Sequence, residues 1–302
     1  MSFPTMKQAK ELYERGENIM RLFRETESSE VNSLNGILAA YDLQAGSYVR
    51  LLSDPVHAQF AKAYCGAIAG ILDRLSPVSV MEAGVGEATT LVNTLHQMRH
   101  RPPHALGFDI SWSRVAVGRE FAEANHANPR LFVGSLEDIP IEDDSVDVVY
   151  TSHSMEPNRG GEIRILRELF RVTRRYLVLL EPSNELGGAD TKRHIEEHKY
   201  CLDLYRHAQS LGFNVVEHRL FDHIKNPENE TALMIIAKRD SAEAYAGDFL
   251  ACPSCHRALV YNTGNYFCTE CLMVYPEVAG IPCLLKSHGI LATRYLDLSE
   301  VR

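Results

Sequence analysis

Two stretches of the chain concentrate residues that do chemistry. The first is "VMEAGVGEATT" at 80–90, where Glu82, Gly84 and Gly86 close an apolar run. Glycines so spaced at the end of a buried strand let backbone approach a nucleotide-like ligand, because no Cβ intervenes. The amides opening the next helix add donors. The dinucleotide fingerprint G-x-G-x-x-G needs a third glycine where this chain has Thr89, which favours a different adenosine ligand. The second stretch is C-x2-C-x12-C-x2-C, formed by Cys252, Cys255, Cys268 and Cys271. Two tight CxxC turns present four thiolates to one tetrahedral ion, the structural zinc arrangement, and four protein ligands leave no open position for catalysis. Cys65, Cys201 and Cys283 lack such partners and read as buried small apolar residues.

Other candidates carry less. "HIEEH" at 194–198 has the spacing of a metallopeptidase motif, but it is short and the chain holds 13 histidines. A solvated helix face is its simplest reading, and His198 facing a substrate pocket is preferred to a metal ligand. The arginines of "RILRELFRVTRRY" read as one solvated helix side.

These residues must be positioned by regular elements. Met6, Ala9, Tyr13, Gly16, Met20 and Phe23 recur at three- and four-residue steps and predict one amphipathic helix over 5–25. A second apolar face predicts a helix over 57–75, stopped by "SP". From residue 78, strand-like runs ("VSVMEAG", "HALGFDI", "RLFVGS", "SVDVVYTS", "RYLVLLEP") alternate with helical runs at 87–98, 112–126 and 159–173. Such alternation makes βαβ units and a mostly parallel sheet, with ligands at the carboxyl ends of the strands. A long helix is predicted at about 190–211. "FNVVEHRLFD" and "ETALMIIAKR" then form an antiparallel pair, because "HIKNPEN" is too short for a crossover helix. "RDSAEAYAGDF" at 239–249 reads as a junction. The expected organisation is a helical N-terminal cap (1–76), an α/β domain (77–240) and a cysteine module (248–290).

Bulk properties exclude some classes. A formal charge of −9 argues against a nonspecific hold on nucleic acid, and no uncharged apolar run is long enough for a membrane span. The N-terminus lacks the apolar core of a secretory signal. Seven cysteines, four of them in CxxC pairs, suit a reducing compartment, so a cytoplasmic protein is expected. No feature of the sequence sets an oligomeric state.

Across roughly residues 41–238 the sequence resembles the class I S-adenosylmethionine-dependent methyltransferases. "VMEAGVGEAT" looks like their first motif, with Ala88 at its last position; "LGFDIS" matches their second strand, ending in Asp109; "GSLEDIPIEDDSVDVVYTSHSMEP" is similar to their third-strand turn and fourth strand. The resemblance implies a Rossmann-like seven-stranded sheet with a helical cap. It implies Gly84 and Gly86 beside the methionine part of the cofactor, Glu82 near its ammonium, Asp109 on the ribose hydroxyls and Ile110 on the adenine. Ser135 stands where many relatives have an acid for the adenine amino group, passing that role to Leu136, Glu137 or Asp138. Tyr41 and Tyr48 precede the fold where many relatives place a helix over the cofactor; core aromatics on a helical layer are the alternative reading. Candidate bases after the fourth and fifth strands are His153, Glu156 and Glu181.

The cysteine module, with its "YPEVAGIPCLL" ending, resembles over about 40 residues the zinc-ribbon activator subunit that partners tRNA and translation-factor methyltransferases. In that family the module packs on the methyltransferase sheet and stabilises it; here it is fused in cis. Within 250–290 the basic residues Arg257 and Lys286 are offset by Glu270 and Glu277, which argues against a nucleic-acid reader. The expected activity is methyl transfer to a small molecule, a sugar or biosynthetic intermediate being preferred. The alternatives are an RNA or protein methyltransferase reading its substrate with the ribbon, and a non-catalytic cofactor-binding scaffold.

Overall fold

The structure is a computed structural model that describes residues 4–224, 226–239 and 245–299; part of the predicted junction, 240–244, lies outside the described residues. The chain opens with four cap helices: α1 (Met6–Glu14), α2 (Ile19–Glu27), α3 (Leu34–Leu43) and α4 (Ser47–Leu51). The single helix predicted over 5–25 is therefore two. Gly16 turns at φ +87°, and the Asn18 side chain accepts from the Arg21 amide to start α2. Ile19, Phe23, Ala39 and Ala40 form the small core of this layer.

α5 (Pro55–Leu75) starts with Asp54 accepting from the His57 amide and a proline in its first turn, where a missing N–H costs nothing. It buries Ile68 and Leu72 against one face of the main sheet.

That sheet is built from β1 (Ser79–Ala83), β2 (His104–Asp109), β3 (Arg130–Val133), β4 (Val146–Ser152), β5 (Thr173–Pro182), β6 (Asn214–Leu220) and β7 (Thr231–Ala237). The helices between them are α6 (Thr89–Gln97), α7 (Trp112–Ala124), α8 (Glu162–Val172), α9 (Ala189–His198) and α10 (Leu204–Ser210). The strand order is β3-β2-β1-β4-β5-β7-β6. β1 to β5 pair in parallel, and β7 runs antiparallel to both neighbours, as the short connection requires. β1 is buried along its whole length and β4 along all but its last residue, since helices cover both faces. Order reverses between β1 and β4, and ligand crevices open at the carboxyl side of such a switch point. The helix predicted at 190–211 is two elements, broken where Lys199 adopts φ +56°.

The cysteine module is a second sheet of β8 (Val260–Asn262), β9 (Asn265–Cys268), β10 (Met273–Val278) and β11 (Ile281–Pro282), with β12 (Ile290–Leu291) also on β10, followed by α11 (Tyr295–Ser299). It is joined to the β3 edge of the main sheet. Cys283 pairs in parallel with Val133, and the Leu284 amide donates to the Val133 carbonyl at 2.9 Å. Leu250 pairs with Ile141, and Arg130–Asp248 and Lys286–Asp138 ion pairs flank the seam. Leu250, Tyr275 and Leu284 belong to the same buried cluster as Leu106, Phe132 and Leu166, so the two sheets share one core.

Candidate active site

At the carboxyl ends of β1, β2 and β4 lies a cavity of about 340 Å³, roofed by α3, α4 and α5. Glu82, Gly84, Gly86, Asp109, Ile110, Leu136, Tyr41, Tyr48, His153 and Glu156 all line it. Sequence spacing alone spreads these residues over 116 positions; the switch point gathers them.

The glycine turn is held from below. The Gly84 and Val85 amides both donate to the Phe108 carbonyl, at 2.9 and 2.7 Å, and the Gly86 amide donates to Asp109 Oδ2 at 3.0 Å. Gly84 (φ +77°) and Gly86 (φ +53°) sit in the left-handed region. Close packing inside the protein also demands them. A Cβ on Gly84 would lie 2.2 Å from Ser154 Cβ, and one on Gly86 would lie 2.6 Å from Arg114 Nη2. The glycines thus make room for neighbouring side chains, a requirement that spacing alone does not reveal.

Three acids act differently in this turn. Glu82 is 2% exposed and accepts from the Tyr150 hydroxyl at 2.8 Å; burial pushes its carboxyl up to about 8. Asp109 takes the Gly86 amide on one oxygen and the Ser111 amide, at 2.9 Å, on the other. Glu87, which the sequence reading passed over, is buried and turned to the cap: it accepts from the amides of Gly46 at 3.0 Å and Val49 at 2.8 Å, at the start of α4. Asp42 on α3 answers from the other side, accepting from the hydroxyls of Ser111 (2.7 Å) and Ser113 (3.0 Å) at the start of α7. Negative groups at helix N-termini are favourable there.

His153 follows β4 at φ +54°, a conformation strained for any residue with a Cβ. Its Nδ1 lies 3.1 Å from Glu156 Oε2 and its Nε2 lies 2.9 Å from the Thr231 hydroxyl. Beneath it, Glu181 accepts from the Ser154 and Met155 amides at 3.1 and 3.2 Å and fixes this bend. Its carboxyl is pushed up to about 7, by burial first, with His153 opposing.

Four expectations are corrected. Glu181 does not line the cavity; it lies beneath, where its Oε1 accepts from the Ser154 and Met155 amides. Glu137 turns outward to Arg164 at 3.0 Å, leaving Ser135 and Leu136 on the cavity wall. His198 is not among the cavity residues; its ring stacks on Tyr200. The α8 arginines are not simply solvated, for Arg171 donates to the carbonyls of Ile139 and Ile141 while pairing with Glu168 and Asp143.

In the ribbon, the sulfur atoms of Cys252, Cys255, Cys268 and Cys271 lie within 4.8 Å of one another. The Ser254 amide points at Cys252 Sγ and the Cys271 amide at Cys268 Sγ, at 3.4 and 3.3 Å. Four thiolates steadied by amide donors fit a tetrahedral soft ion, and this is the one such cluster among the described residues.

Residues 80–175 match the protein family described as "Methyltransferase domain". Among solved structures, magnesium protoporphyrin IX methyltransferase from Synechocystis, with bound SAH, aligns at a TM-score of 0.52 and 12% identity, over 66% of this chain and 98% of that one. A second, described as a putative sarcosine dimethylglycine methyltransferase from Galdieria sulphuraria, aligns at 0.48 and 14%, over 59% and 86%. No curated protein matches the sequence. The first alignment establishes a shared fold. The family match adds that residues 80–175, which carry the glycine turn and Asp109, are similar to a methyltransferase domain.

Proposed function

We propose that the protein methylates a protic small molecule, with His153 as the base and a structural zinc in the ribbon. The observation that carries this reading is the His153–Glu156 pair, hydrogen-bonded at the same cavity as the glycine turn and Asp109. S-adenosylmethionine supplies a methyl group on sulfonium sulfur. Glu82 and Asp109 bind its ammonium and ribose ends, and the carboxylates of both are already shielded from bulk water.

His153 Nδ1–H donates to Glu156, which leaves Nε2 basic and facing Thr231. An acceptor hydroxyl that displaces the Thr231 hydroxyl from Nε2 would give its proton there as its oxygen takes the methyl group. A bound S-adenosylmethionine would supply the methyl with a neutral thioether as leaving group, and Glu156 balances the imidazolium. Glu181 is a positioning residue for the bend that carries His153. Leu34, Ile37, Phe60 and Tyr64 give the acceptor an apolar wall; His57, His223 and Asn226 give it polar contacts. A compact molecule with an apolar body and a hydroxyl group suits this lining.

No described residue of the ribbon lines the cavity, which favours a stabilising role over shaping the acceptor. Release of S-adenosylhomocysteine would be followed with the zinc-loaded protein over phenolic, sugar and hydroxy-acid acceptors. The expected result is turnover with a hydroxyl acceptor that falls about 10²- to 10⁴-fold in His153→Gln with cofactor affinity unchanged. Full activity in that variant removes the base; binding without turnover on any acceptor returns the scaffold reading.

A further inference from the structure

Arg114, on the first turn of α7, belongs to no part of the chemistry described so far. It is 8% exposed, yet it lines the cavity. Its guanidinium carbon lies 4.8 Å from the ring centre of Tyr48 and 5.1 Å from that of Tyr41, so two cap aromatics hold the flat group. Its Nε is buried without a hydrogen-bond acceptor. The neighbouring acids do not supply one. Glu87 comes no nearer than 4.0 Å, and its oxygens take cap amides; Asp109 takes the amides of Gly86 and Ser111. Buried polar groups are almost always hydrogen-bonded, and a desolvated guanidinium with open donors is costly. Gly86, moreover, is shaped to admit it, since a Cβ there would meet Nη2 at 2.6 Å.

The geometry points to Arg114 as the receptor for the carboxylate at the amino-acid end of the cofactor. The inference rests on the cofactor reading above. S-adenosylmethionine carries one anionic group, on the same carbon as the ammonium assigned to Glu82. Glu82 and Arg114 line one cavity beside one glycine turn, an acid and a guanidinium matched to a zwitterion. Arginine is suited to this, because its planar fork binds a carboxylate through two parallel hydrogen bonds. The aromatic faces of Tyr41 and Tyr48 keep the fork oriented, which gives the cap a part in cofactor binding.

The carboxylate could instead belong to the acceptor, and the test separates the two sources by omitting the acceptor. Wild type, Arg114→Met and Arg114→Lys would be titrated calorimetrically with S-adenosylhomocysteine and with 5′-methylthioadenosine, which keeps the adenosine and thioether but lacks the amino-acid end. The expected result is a loss of about 10- to 100-fold for S-adenosylhomocysteine in Arg114→Met, a smaller loss in Arg114→Lys, and unchanged affinity for methylthioadenosine in both. Equal weakening of both ligands overturns the assignment and leaves Arg114 as a strut between cap and α7. Unchanged affinity for both overturns it in favour of an acceptor anion. If Arg114→Met does not fold, Arg114→Lys decides by the same ratio of the two ligands. Wild type that binds neither ligand overturns the cofactor reading and this inference with it.

Discussion

The main sheet holds the cap and the ribbon by different physics. Over the cavity, contacts are made by side chains on helix ends: Glu87 on the amides of α4, Asp42 on the hydroxyls at the start of α7, and Arg114 between two tyrosines. At the β3 edge, contacts are made by backbone pairing and a continuous apolar core. A single capping contact contributes about 1 kcal/mol and breaks independently of its neighbours. Paired backbone over a shared core opens only with the core itself. The cap contacts can therefore be removed one at a time, whereas the ribbon is tied to the core of the main sheet.

The largest expected effect is on the ribbon. Cys252→Ser with Cys268→Ser removes two of the four sulfurs proposed to hold zinc, and the melting temperature should fall by more than about 10 °C with loss of bound metal, since a structural zinc would contribute to folding directly. Scanning fluorimetry with metal analysis checks this; an unchanged transition in a metal-free protein would break the contrast.

Next comes Asp109→Ala, which leaves the Gly86 and Ser111 amides without their acceptor. Affinity for S-adenosylhomocysteine should fall about 100-fold, with the ribbon's melting behaviour unaltered.

A smaller effect follows from Glu82. Its carboxyl, pushed up to about 8 by burial, must ionise to hold an ammonium group. Cofactor affinity should therefore tighten about tenfold between pH 6.5 and 8, and Glu82→Gln should flatten that dependence. The stability sign is the opposite. A carboxyl raised in the folded state favours folding while protonated, so this contribution is lost as pH rises from the ordinary carboxylate range through about 8. Urea titrations of wild type and Glu82→Gln should converge at low pH and diverge in the variant's favour above 8.

The smallest is Glu87→Gln, worth about 1 kcal/mol. Limited proteolysis should cut faster near α4 while cleavage in the ribbon stays at the wild-type rate. Equal acceleration in both regions would show that the two attachments are not independent.

Much of this was legible in the sequence because it is periodic or spaced. The strand–helix alternation, the antiparallel end pair and the four cysteines all follow local patterns that tertiary context does not override. The helix breaks at Gly16 and Lys199 were missed because the apolar steps run through them; a left-handed lysine has no sequence signal. Arg114, Glu87 and Asp42 were missed for a different reason. Each is a charged residue on a helix or turn, indistinguishable in one dimension from a solvated one, and its partner lies tens of residues away. Glu137 and Glu181 failed the reverse way: their positions in the motifs are right for a cavity, but Arg164 and the Ser154–Met155 amides claim them first.

One consequence of the Val133–Cys283 pairing concerns solubility. β3 is the end strand of the main sheet, and "RLFV" offers apolar side chains beside unpaired backbone groups, the form in which sheets of separate molecules join edge to edge. Carrying its own ribbon, the chain covers that edge with its own backbone.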